Sequence, residues 1–187
     1  LTVFVRLVAA DRSPIQQALD WGADGVIIPQ IENAEHARIL CNYAKYPPLG
    51  TRGVGNNRPG HYGTRGSEFY DAENRLKYCF PMVETPGALM EVNDIAALAT
   101  VDGLFLGPTD LSMRRGRGPN QWTAADLADA ERVIQSAQEA GKYWAMPAPD
   151  GRKFEFACEH NALFVTVADD VTALKWGLNK GLSVAGL

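Results

Sequence analysis

No apolar run in these 187 residues approaches the roughly 18 that suggest a membrane-spanning helix, and no signal-peptide pattern is present. The net charge of −4 provides no global basic field, so neither nucleic acid nor an anionic membrane is an expected partner. Cysteine is scarce. Cys41, Cys79 and Cys158 are widely spaced and form no C-x-x-C pair. They read as reduced thiols, packed as small buried hydrophobes, in a cytoplasmic protein. Two nucleotide fingerprints are also missing: no G-x-G-x-x-G follows the first strand-like run, and no P-loop lysine motif occurs. What remains is ordinary globular composition, 46% hydrophobic and 21% charged, at a length that fits one domain with a sizeable core.

Short apolar runs alternate with helical patterns six times. The runs fall at 1–7, 26–30, 78–83, 103–107, 142–146 and 162–167. Helical patterns fall at 15–21, 34–45, 67–76, 86–99, 123–140 and 151–160, and a last one opens at Asp169 or Asp170. The strand-like runs are continuously apolar rather than alternating, which predicts a parallel sheet covered by helices. Several end in proline or Gly-Pro followed by a polar residue. That is the look of a buried strand meeting a working edge.

Two of these tips carry carboxylates. Phe80-Pro81-Met82-Val83 ends at Glu84, and Gly103-Leu104-Phe105-Leu106-Gly107-Pro108-Thr109 ends at Asp110. In a parallel sheet both tips lie on one rim, where two hard oxygen ligands suit Mg²⁺ or Mn²⁺. Each position also suits a helix N-cap, so the residues alone leave both readings open. Arg6, at the end of the first run, reads either as a clamp for a carboxylate or keto oxygen or as a surface ion pair. The turn Gly107-Pro108-Thr109-Asp110 would aim the N–H groups of Thr109 and Asp110 at one anion if a helix starts there.

Two loops are rich in glycine and arginine. The longer, from 46 to 66, holds Arg52, Arg58, Arg65 and His61; the shorter, 113–119, holds Arg114, Arg115 and Arg117. Both read as rim loops whose arginines meet an anionic substrate, meet another subunit or stay solvated. His61 reads as a loop base or a solvated side chain. His36 and His160 read as outer-surface residues of helices.

With these motifs in view, the chain resembles the HpcH/HpaI aldolases, metal-dependent pyruvate aldolases that cleave 4-hydroxy-2-oxo acids. The resemblance runs from about Val5 to residue 180. It rests on Val5-Arg6, Gly22-Ala23, Ile28-Pro29, Tyr46-Pro47-Pro48-Leu49-Gly50-Thr51-Arg52-Gly53-Val54-Gly55, Val83-Glu84-Thr85 and Gly107-Pro108-Thr109-Asp110-Leu111-Ser112. It implies a (β/α)8 TIM barrel of which this chain supplies about six βα units, a single barrel domain over residues 1–187 that lacks its N-terminal units. It also implies Glu84 and Asp110 as ligands of Mg²⁺, Mn²⁺ or Co²⁺, and Arg6 as the contact to bound pyruvate or its enolate. Gly107, Pro108, Thr109 and Asp110 would hold the pyruvate carboxylate. The expected partners are a 2-oxo acid, an aldehyde and further copies of the chain in a trimer or hexamer.

Two departures stand out. The family usually has Gln two residues before the metal Glu, and here Met82 stands there. The family's acid–base histidine and its neighbouring Asp end a second strand that this sequence does not contain, and none of the three histidines matches it. No lysine ends a strand on the expected rim, which disfavours a Schiff-base aldolase. Alternatives on the same site are oxaloacetate decarboxylation and citrate-lyase-like cleavage; a non-catalytic homologue is the alternative of another class.

Overall fold

The computed structural model of the protein describes residues 1–55, 60–63, 65–119 and 121–186. Six strands form one parallel sheet in sequence order: β1 (Phe4–Arg6), β2 (Gly25–Ile28), β3 (Tyr78–Val83), β4 (Gly103–Leu106), β5 (Tyr143–Pro147) and β6 (Phe164–Thr166). The helices are α1 (Arg12–Asp20), α2 (Ala34–Asn42), α3 (Ser67–Leu76), α4 (Pro86–Met90), α5 (Val92–Ala97), α6 (Pro108–Arg114), α7 (Ala124–Glu139), α8 (Gly151–Glu159) and α9 (Asp170–Ala185). Among the described residues, none of them is long and apolar enough to cross a membrane.

Alternation along each strand sorts the side chains onto two faces. Val26, Ile28, Cys79, Val83, Leu104 and Leu106 point outward and pack under the helices in the main core. Ile27, Phe80, Met82, Phe105 and Ala145 form a second cluster on the inner face. The sheet curls around that inner cluster. The Phe4 ring on edge strand β1 lies 4.6 Å from the Phe164 ring on the opposite edge strand β6. The result is a half-barrel with aromatic filling, and the expected TIM-type architecture is what these six units build.

Several boundaries differ from expectation. The first run pairs only over Phe4–Arg6. The helix expected over 86–99 breaks at Glu91, whose ψ of 22° leaves the helical region. The Glu91 carboxylate accepts the Ala34 N–H at 2.8 Å, so a tertiary bond at the start of α2 favours the break. A helix does start at Pro108, and it continues as α6 through Met113 and Arg114, which the sequence reading gives to the loop 113–119. Pro108 sits in its first turn, and Leu111 and Ser112 are buried beneath it. Cys158 is exposed, unlike the buried Cys41 and Cys79.

The long loop starts at the end of the barrel opposite to the one expected. α2 runs antiparallel to the strands, so the chain leaving it emerges at the strands' N-terminal ends. Lys45, 1% exposed, pairs there with Asp102 at 2.7 Å and donates to the carbonyls of Asn74 and Lys77. Arg52, 2% exposed, reaches Asp20 at 2.7 Å and stacks on the Tyr46 ring at 4.4 Å. It is a buried clamp and not a rim residue. Arg65 bonds to His61 at 2.8 Å in the exposed part of the loop, and Arg58 lies outside the described residues.

Candidate active site

Strand alternation brings the site together. Phe80, Met82 and Glu84 occupy one face of β3 and its extension, so Glu84 emerges above the inner aromatic layer. Arg6 follows Phe4 by two residues and takes the same face of β1. The helix-cap reading of Glu84 fails. Thr85 is the N-cap of α4: its Oγ1 accepts the Ala88 N–H at 3.0 Å and donates to the Ile31 carbonyl at 2.7 Å. Asp110 does not cap α6 either, because Gly107 holds that position with no side-chain bond.

Glu84 is 1% exposed. Its Oε1 accepts the Gln30 backbone N–H at 2.6 Å, just beyond β2. Gln30 has φ +53°, a left-handed conformation that costs a non-glycine residue roughly 1–2 kcal/mol. The other oxygen, Oε2, is buried and has no hydrogen-bond partner among the described residues. Burial raises the Glu84 carboxyl above its ordinary range. The Gln30 N–H opposes that rise, the nearby Asp110 adds to it, and Arg6 and Arg114 oppose it. Bare space beside the carboxylate is kept by Gly107, where a Cβ would stand 2.7 Å from Glu84 Cβ and 2.9 Å from Oε2.

An orphaned buried carboxylate oxygen with a second carboxylate close by is a donor set that fits a divalent cation. Among the described residues, no group of three or more His, Cys, Asp or Glu side chains converges. A cation held by Glu84 and Asp110 would therefore take its other oxygens from substrate and water, as Mg²⁺ commonly does.

A cavity of about 250 Å³ opens at this rim, with Arg6, Gly107, Thr109, Asp110 and Thr166 in its wall. Ile27, Met82 and Phe105, each 4% exposed, supply its apolar surface. The first helical bond of α6 runs from the Leu111 N–H to the Gly107 carbonyl at 3.1 Å, so the Thr109 and Asp110 N–H groups precede the ladder. No histidine lines this cavity among the described residues.

The remaining sequence candidates divide. Arg114 faces Glu32 at 3.9 Å near the rim. Arg115 and Arg117 are bound to α7 through Asp129 and Asp126, so they fasten α6 rather than meet substrate. His36 is half-buried, and its Nδ1 accepts the Glu32 N–H at 3.2 Å. His160, also half-buried, closes α8 and stacks on Phe156. Gln30 and Thr166 were not anticipated. Both follow or end an apolar run, and that position was their one sequence signal.

A model of the HpcH/HpaI aldolase/citrate lyase family matches residues 1–174. The chain is 34% identical over 169 residues to the 4-hydroxy-2-oxo-heptane-1,7-dioate aldolase of Klebsiella pneumoniae subsp. pneumoniae, covering 89% of this chain and 63% of that one. It is 43% identical over 109 residues to the 2-dehydro-3,6-dideoxy-6-sulfogluconate aldolase of Pseudomonas putida, covering 58% of this chain and 42% of the relative. It thus spans less than two thirds of the length of these two relatives. The crystal structure of the HpcH/HpaI aldolase from Desulfitobacterium hafniense DCB-2 superposes with a TM-score of 0.87 at 30% identity, over 99% of this chain and 72% of that one.

Proposed function

This chain belongs to the HpcH/HpaI aldolase/citrate lyase family, and from that premise we propose that it carries the pyruvate-binding site of a divalent-metal-dependent aldolase. The reaction is cleavage of the C3–C4 bond of a 4-hydroxy-2-oxo acid, which gives pyruvate and an aldehyde. Relatives named as aldolases for 4-hydroxy-2-oxo-heptane-1,7-dioate and for 4-hydroxy-2-oxovalerate support the substrate class.

Glu84 and Asp110 would hold Mg²⁺, Mn²⁺ or Co²⁺, which when bound supplies Lewis-acid polarisation of the 2-oxo acid. The chain's own groups do the rest. Arg6, in the cavity wall with Asp110, offers a guanidinium to the keto oxygen as negative charge develops there. The backbone N–H groups of Thr109 and Asp110 receive the substrate carboxylate at the start of α6. Ile27, Met82 and Phe105 form an apolar wall against the carbons that become the pyruvate methyl end.

The observation that carries this reading is the buried Oε2 of Glu84, unpartnered among the described residues, with Asp110 and Arg6 as its charged neighbours. The test is pyruvate release from 4-hydroxy-2-oxo acids, followed with coupled lactate dehydrogenase. Activity should vanish in EDTA and return with Mg²⁺, Mn²⁺ or Co²⁺. Turnover indifferent to the chelator would refute the metal assignment.

A further inference from the structure

Asp110 and Arg114 are four residues apart on α6, so they share one helix face a turn apart. Asp110 is in the cavity wall. Arg114 stands at the rim, and its Nη1 crosses to Glu32 Oε1 at 3.9 Å. Glu32 lies two residues beyond Gln30, whose N–H holds Glu84. Arg114 therefore reaches from the β4 side to the β2 side beside the Glu84 carboxylate, which feels its charge.

Its neighbours behave differently. Arg115 and Arg117 are pinned to Asp129 and Asp126. The Arg114–Glu32 pair is longer than a hydrogen bond, and its side chains are 38% and 59% exposed. Pairs of that kind hold weakly. A guanidinium so loosely held keeps its fork of donors available for an incoming anion.

We propose that Arg114 binds the distal carboxylate of an extended dicarboxylic 2-oxo acid, which makes it a specificity-determining residue. This rests on the reading above, in which the 2-oxo end lies between Arg6 and Asp110. The rise of about 6 Å from residue 110 to residue 114 along the helix spans a short aliphatic chain. Glu32 is the competitor: it occupies Arg114 in the free protein and repels the arriving carboxylate.

The experiment is calorimetric titration of the protein with Mg²⁺ present, using 2-oxoadipate and 2-oxohexanoate, two acids of equal chain length that differ in the charge at the far end. The protein should prefer 2-oxoadipate. Arg114→Gln should weaken 2-oxoadipate by about 10- to 100-fold and 2-oxohexanoate by less than about threefold. Arg114→Lys should recover part of the loss. Glu32→Gln should tighten 2-oxoadipate alone, by about two- to fivefold. Equal effects on both acids, no effect of Arg114→Gln, or a preference for the neutral-ended acid overturns the proposal. Failure of the underlying reading looks different: Asp110→Asn and Arg6→Ala would then leave both titrations unchanged.

Discussion

The backbone N–H of Gln30 donates to Oε1 of Glu84 at 2.6 Å, joining residues 54 apart in the chain. One oxygen is thereby fixed by main chain, and the other, Oε2, stays buried and, among the described residues, unpartnered. A carboxylate in that state is oriented before anything binds to it, and the strained φ of Gln30 is the local cost of that orientation.

Glu84→Gln retains an oxygen for the Gln30 N–H and nearly the same volume, but loses the charge. Metal-dependent turnover should fall by about 10³-fold. The melting temperature in metal-free buffer should hold or rise, because burial already disfavours the ionised form. Metal titrations and thermal melts check both. A variant with near-normal rate would remove Glu84 from the ligand set. Asp110→Asn should behave likewise in turnover.

Gly107→Ala places a methyl group 2.7 Å from Glu84 Cβ, 2.9 Å from Oε2 and 3.2 Å from Met82 Cε. The carboxylate has to shift. Metal affinity should drop at least about tenfold, with a stability loss of about 1–3 kcal/mol from overpacking. Urea unfolding and metal titration on the same variant measure the two effects. Wild-type metal binding would show that the carboxylate has another position available.

Arg6→Ala should lower turnover by about 10²- to 10³-fold, the usual size for one lost oxyanion donor. On the proposed reading Arg6 meets the keto oxygen and not the cation, so metal affinity should change much less. Arg6→Lys should recover only part, since a point charge lacks the planar fork. A loss of only a few-fold in the alanine variant would make Arg6 structural.

Acid stability should depend on Asp126. Burial pushes its carboxyl up, but the Thr123 N–H and hydroxyl and the Arg117 guanidinium outweigh this, and the net direction is below the ordinary value of 3.8. A carboxyl lowered in the folded state contributes stability that is fully present above pH 3.8 and lost as pH falls through the folded value. The stability gap between wild type and Asp126→Asn should therefore be constant near neutrality and shrink below about pH 4. Urea midpoints from pH 3 to pH 7 test this, and a gap that widens on acidification would contradict it.

Arg52→Ala should cost about 3 kcal/mol, because the guanidinium is buried against Asp20, Glu73 and the Tyr46 ring. Turnover per folded molecule should stay unchanged, since the clamp lies at the strand ends remote from Glu84. A fall in kcat with intact stability would mean that the long loop reaches the site after all.

Much of the architecture was legible because its signals are local. Continuous apolar runs such as Gly103–Leu106 announce buried parallel strands, and their polar tips placed Arg6, Glu84 and Asp110 at one end. Signals that depend on neighbours were not legible. Met113 and Arg114 look like loop by composition, yet burial of Leu111 and Ser112 just before them carries the helix through to Arg114. Arg52 has the composition of a rim loop, but Asp20, distant in sequence, draws it to the opposite end. Gln30 acts through its backbone, and its side-chain identity carries no trace of that role.

The strand ends divide the labour between them, and the division bears on how such a protein changes over generations. The pairs Lys45–Asp102 and Arg52–Asp20 share no residue with the rim that holds Arg6, Glu84 and Asp110. Mutations at these two pairs then act on heat tolerance without touching the rim, whereas rim positions such as Gly107 and Glu84 act on both. A lineage can exchange Arg114 or Glu32 at the rim while the buried contacts of Arg52 and Lys45 at the other end are left untouched.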